Sequence, residues 1–375
     1  MVYAQILSRY KFNILIILCN LFFPKISFPI DFIDSSYTSA ESSKSSLFDN
    51  NLTLPISLAQ ISGIPLTVFH VLGDVHKART QRQINELCNR VDLTYRKLNW
   101  GKSPCIHIPW KFDYVSENGQ PLIYWEFIND TVEEDSKKNV TLVLGGVHPD
   151  ELTPIHLAFQ FAETLLENPY LYNNAHVIVA PLVNPDGFFA NPPKRTNANG
   201  VDLNRNFPTA AWKKYAYQVW KNSKEKDKRK FPGFFANSEQ GTKFQADLIE
   251  KFNPDKVISI HAPLAFLDLD YEIPKLLSVN KLTDQQKKAR NLAEILSRSA
   301  GNYKIKDIGI YPGSLGNYAG NERIIPTITL EMSSSNPKFV RKFWKEFSPG
   351  LFKAIKFEFK KYQFADIVTG HVTNE

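Results

Sequence analysis

Cysteine is scarce in this sequence, with only three among 375 residues. After the N-terminal segment only Cys88 and Cys105 remain, which excludes a small fold held together by several disulfides. Whether these two are joined depends on their geometry, so the sequence leaves that question open. The apolar content of 43% is ample for a sizeable core, and we find no internal repeat.

Long hydrophobic runs are also lacking. The main run, Phe12 to Phe23, is about a dozen residues and too short to span a bilayer comfortably, and Arg9 and Lys11 precede it. This pattern predicts a secretory signal over residues 1–27. Because residues 24–27 offer no small-x-small cleavage site, an uncleaved N-terminal anchor is the alternative. We therefore expect an exported protein, periplasmic or membrane-anchored facing the periplasm, that contacts a membrane only through this segment.

Charge of one sign is not strongly enriched. The 45 Lys and Arg exceed the 38 acids by a net charge of +7, which fits an anionic surrounding such as a cell-wall polymer or lipid headgroups. The excess is too diffuse to predict a nucleic-acid partner.

The segments differ in composition along the chain. Residues 28–60 are rich in Ser, Asn and Asp and are predicted to be a linker. Residues 61–109 form an N-terminal extension with a helix near Gln81 to Leu98, to which we assign no chemistry. Residues 110–365 are predicted to be the catalytic domain, and residues 366–375 a tail.

Strand and helix patterns alternate within residues 110–365. This alternation predicts an α/β fold, a three-layer sandwich with a central mixed, mostly parallel sheet flanked by helices. A hairpin is predicted at residues 111–127, later strands at 141–144, 175–182, 256–261 and 324–331, and helices near 152–167, 239–252, 284–300 and 337–361. Ligands gather at the carboxyl ends of such strands, where His148, His261 and Glu331 are expected.

The stretch TLVLGGVHPDE, residues 141–151, is a strand and turn that presents His148 and Glu151. An imidazole and a carboxylate three residues apart can reach one ion and suit zinc. The alternative for this pair is a capped helix start, with Asp150 or Glu151 near the positive end of the helix dipole.

A second motif is the run RTNANGVDLNRNFP, residues 195–208. It closely resembles the R-x-N-x-x-G-V-D-L-N-R-N-F signature of zinc carboxypeptidases of the carboxypeptidase A type, which carry G-G-x-H-G-x-E upstream. The resemblance covers roughly residues 110–361. It implies one Zn²⁺ ion held by His148, Glu151 and His261 in a zinc metallocarboxypeptidase.

The resemblance also implies roles for other residues. Glu331 is matched to the general base, and Arg195 to the arginine that stabilises the oxyanion. Asn204 and Arg205 match the pair that receives the substrate's terminal carboxylate. Asp202 is expected to orient His148 rather than to catalyse.

The sequence departs from the family pattern at three points. Pro149 replaces the Gly after the first ligand. The family's substrate-closing tyrosine has no secure match in the run from Tyr311 to Tyr318; Tyr318 is our candidate, with packing an equal alternative. The insertion from Trp212 to Phe231 is rich in Lys and aromatic residues. Its charge run is interpreted as a solvated face or as a contact with an anionic polymer.

Three features resemble the bacterial branch that acts on peptidoglycan stem peptides: the short Arg195 to Arg205 run, the Gly-Ser-Leu-Gly loop and the Ser238-Glu239-Gln240 entry to a helix. That resemblance implies a peptide substrate cut at a bond to diaminopimelate. Asp268 and Asp270, seven and nine residues after His261, are candidates to hold its free ammonium, with turn capping as an equal alternative. Two rivals remain. One is a zinc deacylase of small N-acyl amino acids, and the other is a non-catalytic cell-wall-binding relative.

Overall fold

The computed structural model describes residues 66–128, 139–223, 226–271 and 282–359, with side chains from residue 77 onward. The predicted signal segment, the linker and the C-terminal tail lie outside these residues. None of the helices in the described part of the chain is both long enough and apolar enough to cross a membrane.

A seven-stranded mixed sheet forms the centre of the described chain. Its strands are Trp125–Ile128 (β1), Asn139–Leu144 (β2), Ala175–Ala180 (β3), Lys256–His261 (β4), Phe266–Leu269 (β5), Ile305–Lys306 (β6) and Thr327–Glu331 (β7). They lie in the order β1-β3-β2-β4-β7-β5-β6. The pairings β1–β3 and β5–β7 are antiparallel, and the other four are parallel. The predicted mixed, mostly parallel sheet is confirmed.

Helices cover both faces of this sheet. They are Leu66–Lys97 (α1), Leu152–Glu167 (α2), Pro185–Phe188 (α3), Tyr217–Asn222 (α4), Gln240–Phe252 (α5), Asp284–Ser299 (α6) and Val340–Lys356 (α7). One hydrophobic core lies between the sheet and α1, α2, α6 and α7, and a second lies beneath α5 on the opposite face. Two cores on one sheet make the predicted three-layer sandwich.

The central strands are buried on both faces, because both faces carry a core. Every residue of β2 and of β4 is buried. Such strands are near-continuous apolar runs, and a polar residue in them is unusual enough to mark a site. The pairing of β4 with β7 places His261 directly beside Glu331 at the carboxyl ends of the two strands.

The N-terminal extension packs onto the domain through α1. Leu87, Val91 and Tyr95 are buried in the core that α2 and α7 share. The question that the sequence left open is answered, since Cys88 and Cys105 form a disulfide that joins α1 to the following loop.

The structure also corrects some predicted boundaries. The predicted hairpin is reduced to two isolated bridges, Lys111 with Tyr124 and Val115 with Pro121, followed by β1. The strands β5 and β6 were not predicted. They are short, of four and two residues, and so carry little periodic signal.

Candidate metal centre

Three predicted ligands meet at the carboxyl edge of the sheet. His148 lies in the turn after β2, Glu151 is the residue before α2, and His261 ends β4. Their donor atoms all lie within 4.8 Å of one another, and all three side chains are buried. The Nδ1 atoms of the two histidines are 3.0 Å apart, and Glu151 Oε2 is 3.0 Å from His261 Nδ1. Elements far apart in the chain therefore form one compact donor set.

The outward nitrogens of both imidazoles have oxygen partners. His148 Nε2 lies 2.9 Å from Asp202 Oδ1, and His261 Nε2 lies 3.0 Å from Ser259 Oγ. When Nε2 donates its proton to these oxygens, Nδ1 carries the lone pair and faces the other donors. Two neutral imidazoles and one carboxylate with oriented lone pairs fit a divalent ion of the zinc type. The predicted role of Asp202 beside His148 agrees with this contact.

The charges around Glu151 favour its ionised form. Burial alone raises the pKa of a carboxyl, but His148 and His261 outweigh it and hold the pKa of Glu151 well below its usual range. For His261 burial acts in the opposite sense, yet the carboxylate of Glu151 raises its pKa overall. A cation is therefore favoured at the point that these groups share.

Glu331 lies beside the donor set without being part of it. Glu331 as a residue is 8% exposed, and its carboxylate accepts a hydrogen bond of 3.3 Å from the backbone N–H of Leu264. Burial raises the pKa of Glu331, so this carboxyl binds a proton more readily than an exposed glutamate. A carboxylate with a raised pKa next to a metal site has the properties of a general base.

Arg195 is held on the other side of the donor set. Its guanidinium donates to Glu151 Oε1 at 3.1 Å and to Asp202 Oδ2 at 3.0 Å. The pKa of Asp202 is therefore low: burial would raise it, but Arg195 and His148 outweigh that effect. Both carboxylates fix the arginine at the edge of the site.

Asn204 and Arg205 lie in the short 3₁₀ turn Leu203–Arg205, which Asp202 caps. The Oδ1 atom of Asn204 accepts from the backbone N–H of Leu315 at 2.8 Å, which turns its amide group in a fixed direction. The Arg205 guanidinium lies 4.2 Å from the centre of the Tyr311 ring. An amide, a guanidinium and an exposed aromatic ring thus lie together, and Asp202 connects them to the donor set.

The family comparison agrees with this geometry. The family model for zinc carboxypeptidases matches residues 115–348, well over half of the chain. The chain belongs to the zinc carboxypeptidase family. The family match supports zinc as the ion at His148, Glu151 and His261.

Two zinc carboxypeptidase relatives carry the same name. Murein peptide amidase A of Escherichia coli strain K12 is 38% identical over 152 residues, which cover 40% of this chain and 57% of that protein. The Vibrio campbellii murein peptide amidase A is 30% identical over 217 residues, covering 57% of this chain and 75% of that protein. The chain therefore spans little more than half of the length of the E. coli relative.

Solved structures support the fold of a zinc carboxypeptidase. Bovine thrombin-activatable fibrinolysis inhibitor, in complex with tick carboxypeptidase inhibitor, superposes with a TM-score of 0.55 at 17% identity, covering 73% of this chain and 95% of that one. At this identity the likeness shows the fold alone.

One predicted site residue does not reach the centre of this zinc carboxypeptidase. Tyr318 is 1% exposed, packs against Phe207 and hydrogen-bonds Glu250 through its hydroxyl. Its predicted role as a substrate-closing lid is therefore wrong, and the alternative packing role describes it. Tyr311, in the same run, is the aromatic residue that faces Arg205.

Sequence reasoning also missed the roles of two polar residues. Ser259 lies two positions before His261 in β4 and so faces the same side of the strand, a period-two signal that could have found it. Glu239 accepts hydrogen bonds from Asn197 and Asn199 and holds the loop that carries Arg195. The run Ser238-Glu239-Gln240 was part of the resemblance to the peptidoglycan branch, but the contacts of Glu239 were not predicted, because its partners are some forty residues away.

Proposed function

We propose that this protein is an exported zinc-dependent peptidase that hydrolyses an amide bond in murein stem peptides. The observation that carries the proposal is the buried donor set of His148, Glu151 and His261 with Glu331 beside it. The names of two relatives, both murein peptide amidases, support the substrate class.

The chemistry follows from what surrounds the donor set. A zinc ion held by these residues supplies Lewis-acid chemistry, polarising a carbonyl and lowering the pKa of a water molecule. Glu331 accepts the proton of the attacking water and passes it to the amine that leaves when the C–N bond breaks. Arg195 places a fixed positive charge where negative charge develops on the carbonyl oxygen, in a site that Glu151 and Asp202 keep ordered.

Asn204, Arg205 and Tyr311 are suited to a terminal carboxylate. Because Asn204 Oδ1 accepts a hydrogen bond from the backbone N–H of Leu315, the side-chain NH₂ of Asn204 is the group that can donate to a carboxylate. A guanidinium adds charge and a planar pair of donors. This arrangement supports a substrate whose carboxylate lies on the leaving side of the scissile bond.

Asp268 and Asp270 support diaminopimelate as the residue at that bond. Burial raises the pKa of Asp268 to about 8 and that of Asp270 to about 6, so near neutral pH the pair shares roughly one negative charge. Asp270 lies close enough to His261 and Arg205 for their charges to act on it. Within the described residues neither aspartate has an ion-pair partner, so the ammonium of diaminopimelate is the cation that we propose they receive.

Export is supported by the disulfide between Cys88 and Cys105, since such bonds persist in oxidising compartments. The basic, apolar N-terminal pattern of residues 9–23 fits the same route. Fractionation of a bacterial host that expresses the full chain, with mass analysis of the N-terminus, tests export and cleavage together. Protein confined to the cytoplasm would contradict this part of the proposal.

Digestion of purified murein peptides tests the activity. The full protein, the chelated protein and Glu331→Gln are compared by mass spectrometry, with Glu294→Gln on the surface of α6 as the matched control. We expect the full protein and Glu294→Gln to cut one amide bond next to diaminopimelate. We expect the chelated protein and Glu331→Gln to cut none. Cleavage that persists in chelator, or hydrolysis of small N-acyl amino acids in place of murein peptides, would overturn the proposal.

A further inference from the structure

The charge of this protein is concentrated in one segment. The residues from Trp212 to Phe231, which we call the basic segment, contain eight Lys and Arg and two acids, so they carry +6 of the net charge of +7. The segment folds as a π-helical turn at Trp212–Ala216, the helix α4 and a 3₁₀ turn at Lys228–Lys230. Apart from this segment the chain is close to neutral.

The described cations of the basic segment are exposed to solvent. Those that the structure describes and finds exposed are Lys213, Lys214, Lys221, Lys226, Lys228, Arg229 and Lys230. Arg229 pairs with Asp150 at 2.6 Å, and Lys230 approaches Asp227 at 3.5 Å. The other five have no ion pair with any described residue. Internal salt bridges therefore do not explain why so much positive charge is placed here.

Aromatic rings lie beside these cations. Tyr217, Trp220, Phe231 and Phe234 form a chain of ring contacts with centroids 4.8 to 6.3 Å apart. Phe234 is 70% exposed and Phe235 is 75% exposed, the highest values among the exposed large hydrophobic side chains of the described chain. Two neighbouring phenylalanines in water, next to a basic patch, are typical of a surface that a partner covers.

This surface adjoins the candidate metal centre. The backbone carbonyl of Phe231 accepts from the N–H of Asp202 at 2.8 Å, and Asn206 donates to the carbonyl of Phe235 at 2.8 Å. Arg229 contacts Asp150, the residue before the ligand Glu151. A partner that covers the basic segment therefore lies at the edge of the site.

We propose that the exposed, described cations of the basic segment and Phe234–Phe235 form a docking surface for polymeric murein, which holds the wall while one stem peptide enters the site. The inference rests on the proposed function. Stem peptides carry free carboxylates at regular intervals, which complement the unpaired lysines, and sugar rings present flat apolar faces to exposed phenylalanines. An anionic lipid surface would meet the same charges, but it does not explain why the surface adjoins the cleft.

Binding to murein sacculi tests the proposal in the Glu331→Gln background, where the wall is not digested. The test variant is Lys213→Glu/Lys214→Glu/Lys221→Glu. The control, Lys342→Glu/Lys345→Glu/Lys353→Glu on α7, makes the same change of charge at exposed lysines elsewhere. We expect the test variant to co-sediment with sacculi about tenfold more weakly, and the control to change by less than about twofold. Parent binding should weaken steeply with NaCl, because exposed charges are screened.

Further measurements separate the outcomes. Phe235→Ser should also weaken sacculus binding, and Lys226→Glu/Lys228→Glu repeats the charge test should the first variant fold poorly.

With Glu331 restored, the test variant should cut sacculi less than the parent does, but it should cut a free tripeptide equally well. Equal sacculus binding by test and control variants would overturn the inference. Tighter binding to anionic vesicles than to sacculi would replace murein by a lipid surface. Sacculus binding without any cleavage would refute the proposed function and leave the docking surface standing.

Discussion

Asp202 is the residue whose replacement tests the construction of the metal centre most directly. It is fully buried and accepts from His148 Nε2 at 2.9 Å, from Arg195 Nε at 3.0 Å and from the backbone N–H of Asn204 at 3.0 Å. Asp202→Asn keeps the shape but removes the charge and one acceptor. The amide then accepts fewer of these three hydrogen bonds, and its NH₂ group faces a donor.

The expected magnitude follows from that loss. When Nε2 of His148 loses its carboxylate, the imidazole is less basic and its Nδ1 lone pair is less firmly directed at the ion. Replacing such a partner typically lowers metal affinity by about 10- to 100-fold, or roughly 1.4 to 2.7 kcal/mol. Ser259→Ala is the matched comparison on the other histidine. It removes a neutral hydroxyl at 3.0 Å from His261, so its effect should be smaller.

Zinc affinity is measured by competition with a chromophoric chelator, which reports on the metal without relying on catalysis. We expect the affinity to fall in the order wild type, Ser259→Ala, Asp202→Asn, with all three proteins folded by circular dichroism. Unchanged zinc affinity in Asp202→Asn would refute the reasoning, because His148 would then be oriented without the carboxylate. An equal loss in both variants would show that the charge of Asp202 adds nothing.

Three other predictions concern the base, the acidic pair and the disulfide. Glu331→Gln should lower kcat on murein peptides by about 10²- to 10⁴-fold while bound zinc stays at one equivalent; retained turnover would remove Glu331 from its role. Because the folded pKa of Asp268, about 8, lies above its ordinary 3.8, its contribution to stability is greatest below pH 4 and is lost as pH rises through 8. Asp268→Asn should therefore raise Tm at pH 9 by about 3 °C or more and leave Tm unchanged at pH 4. The same variant should lower kcat/KM for diaminopimelate peptides. Equal gains in Tm at both pH values would contradict the raised pKa of Asp268. Cys88→Ser/Cys105→Ser should lower the free energy of unfolding by about 3 kcal/mol in urea titrations, since the bond spans 17 residues; an unchanged midpoint would mean that the disulfide does not stabilise the fold.

The sheet and its long helices could be predicted because their signals are local. The predicted helix at 152–167 and strand at 256–261 match α2 and β4 at both ends. Long periodic or wholly buried segments carry enough apolar residues to fix their own type. The two-residue β6 carries too few residues to fix its own type, and it exists only because β5 pairs with it. Short strands depend on partners that lie elsewhere in the chain.

The residues of the candidate metal centre could be placed for a related reason. His148, His261 and Glu331 each lie at or just past the end of a recognisable strand, and in a parallel sheet the carboxyl ends of neighbouring strands share one edge. Sequence spacing thus becomes spatial proximity through topology alone. Asp268 and Asp270 were identified from the sequence as acids near His261. Their raised pKa values could not be predicted, because these depend on burial that only the folded chain provides.

The tyrosines show where this reasoning stops. Tyr311 and Tyr318 lie seven residues apart in a glycine-rich run, and nothing local distinguishes them. Packing decides which tyrosine is buried. The helical turn Gly316–Glu322 lies so close to Asp270, the residue after β5, that a side chain at Gly316 or Gly320 would collide with it. That approach turns Tyr318 inward to Phe207 and Glu250 and leaves Tyr311 over Arg205. The exposed ring beside Arg205 is thus selected by two glycines and one aspartate, a three-part contact that no single stretch of sequence contains.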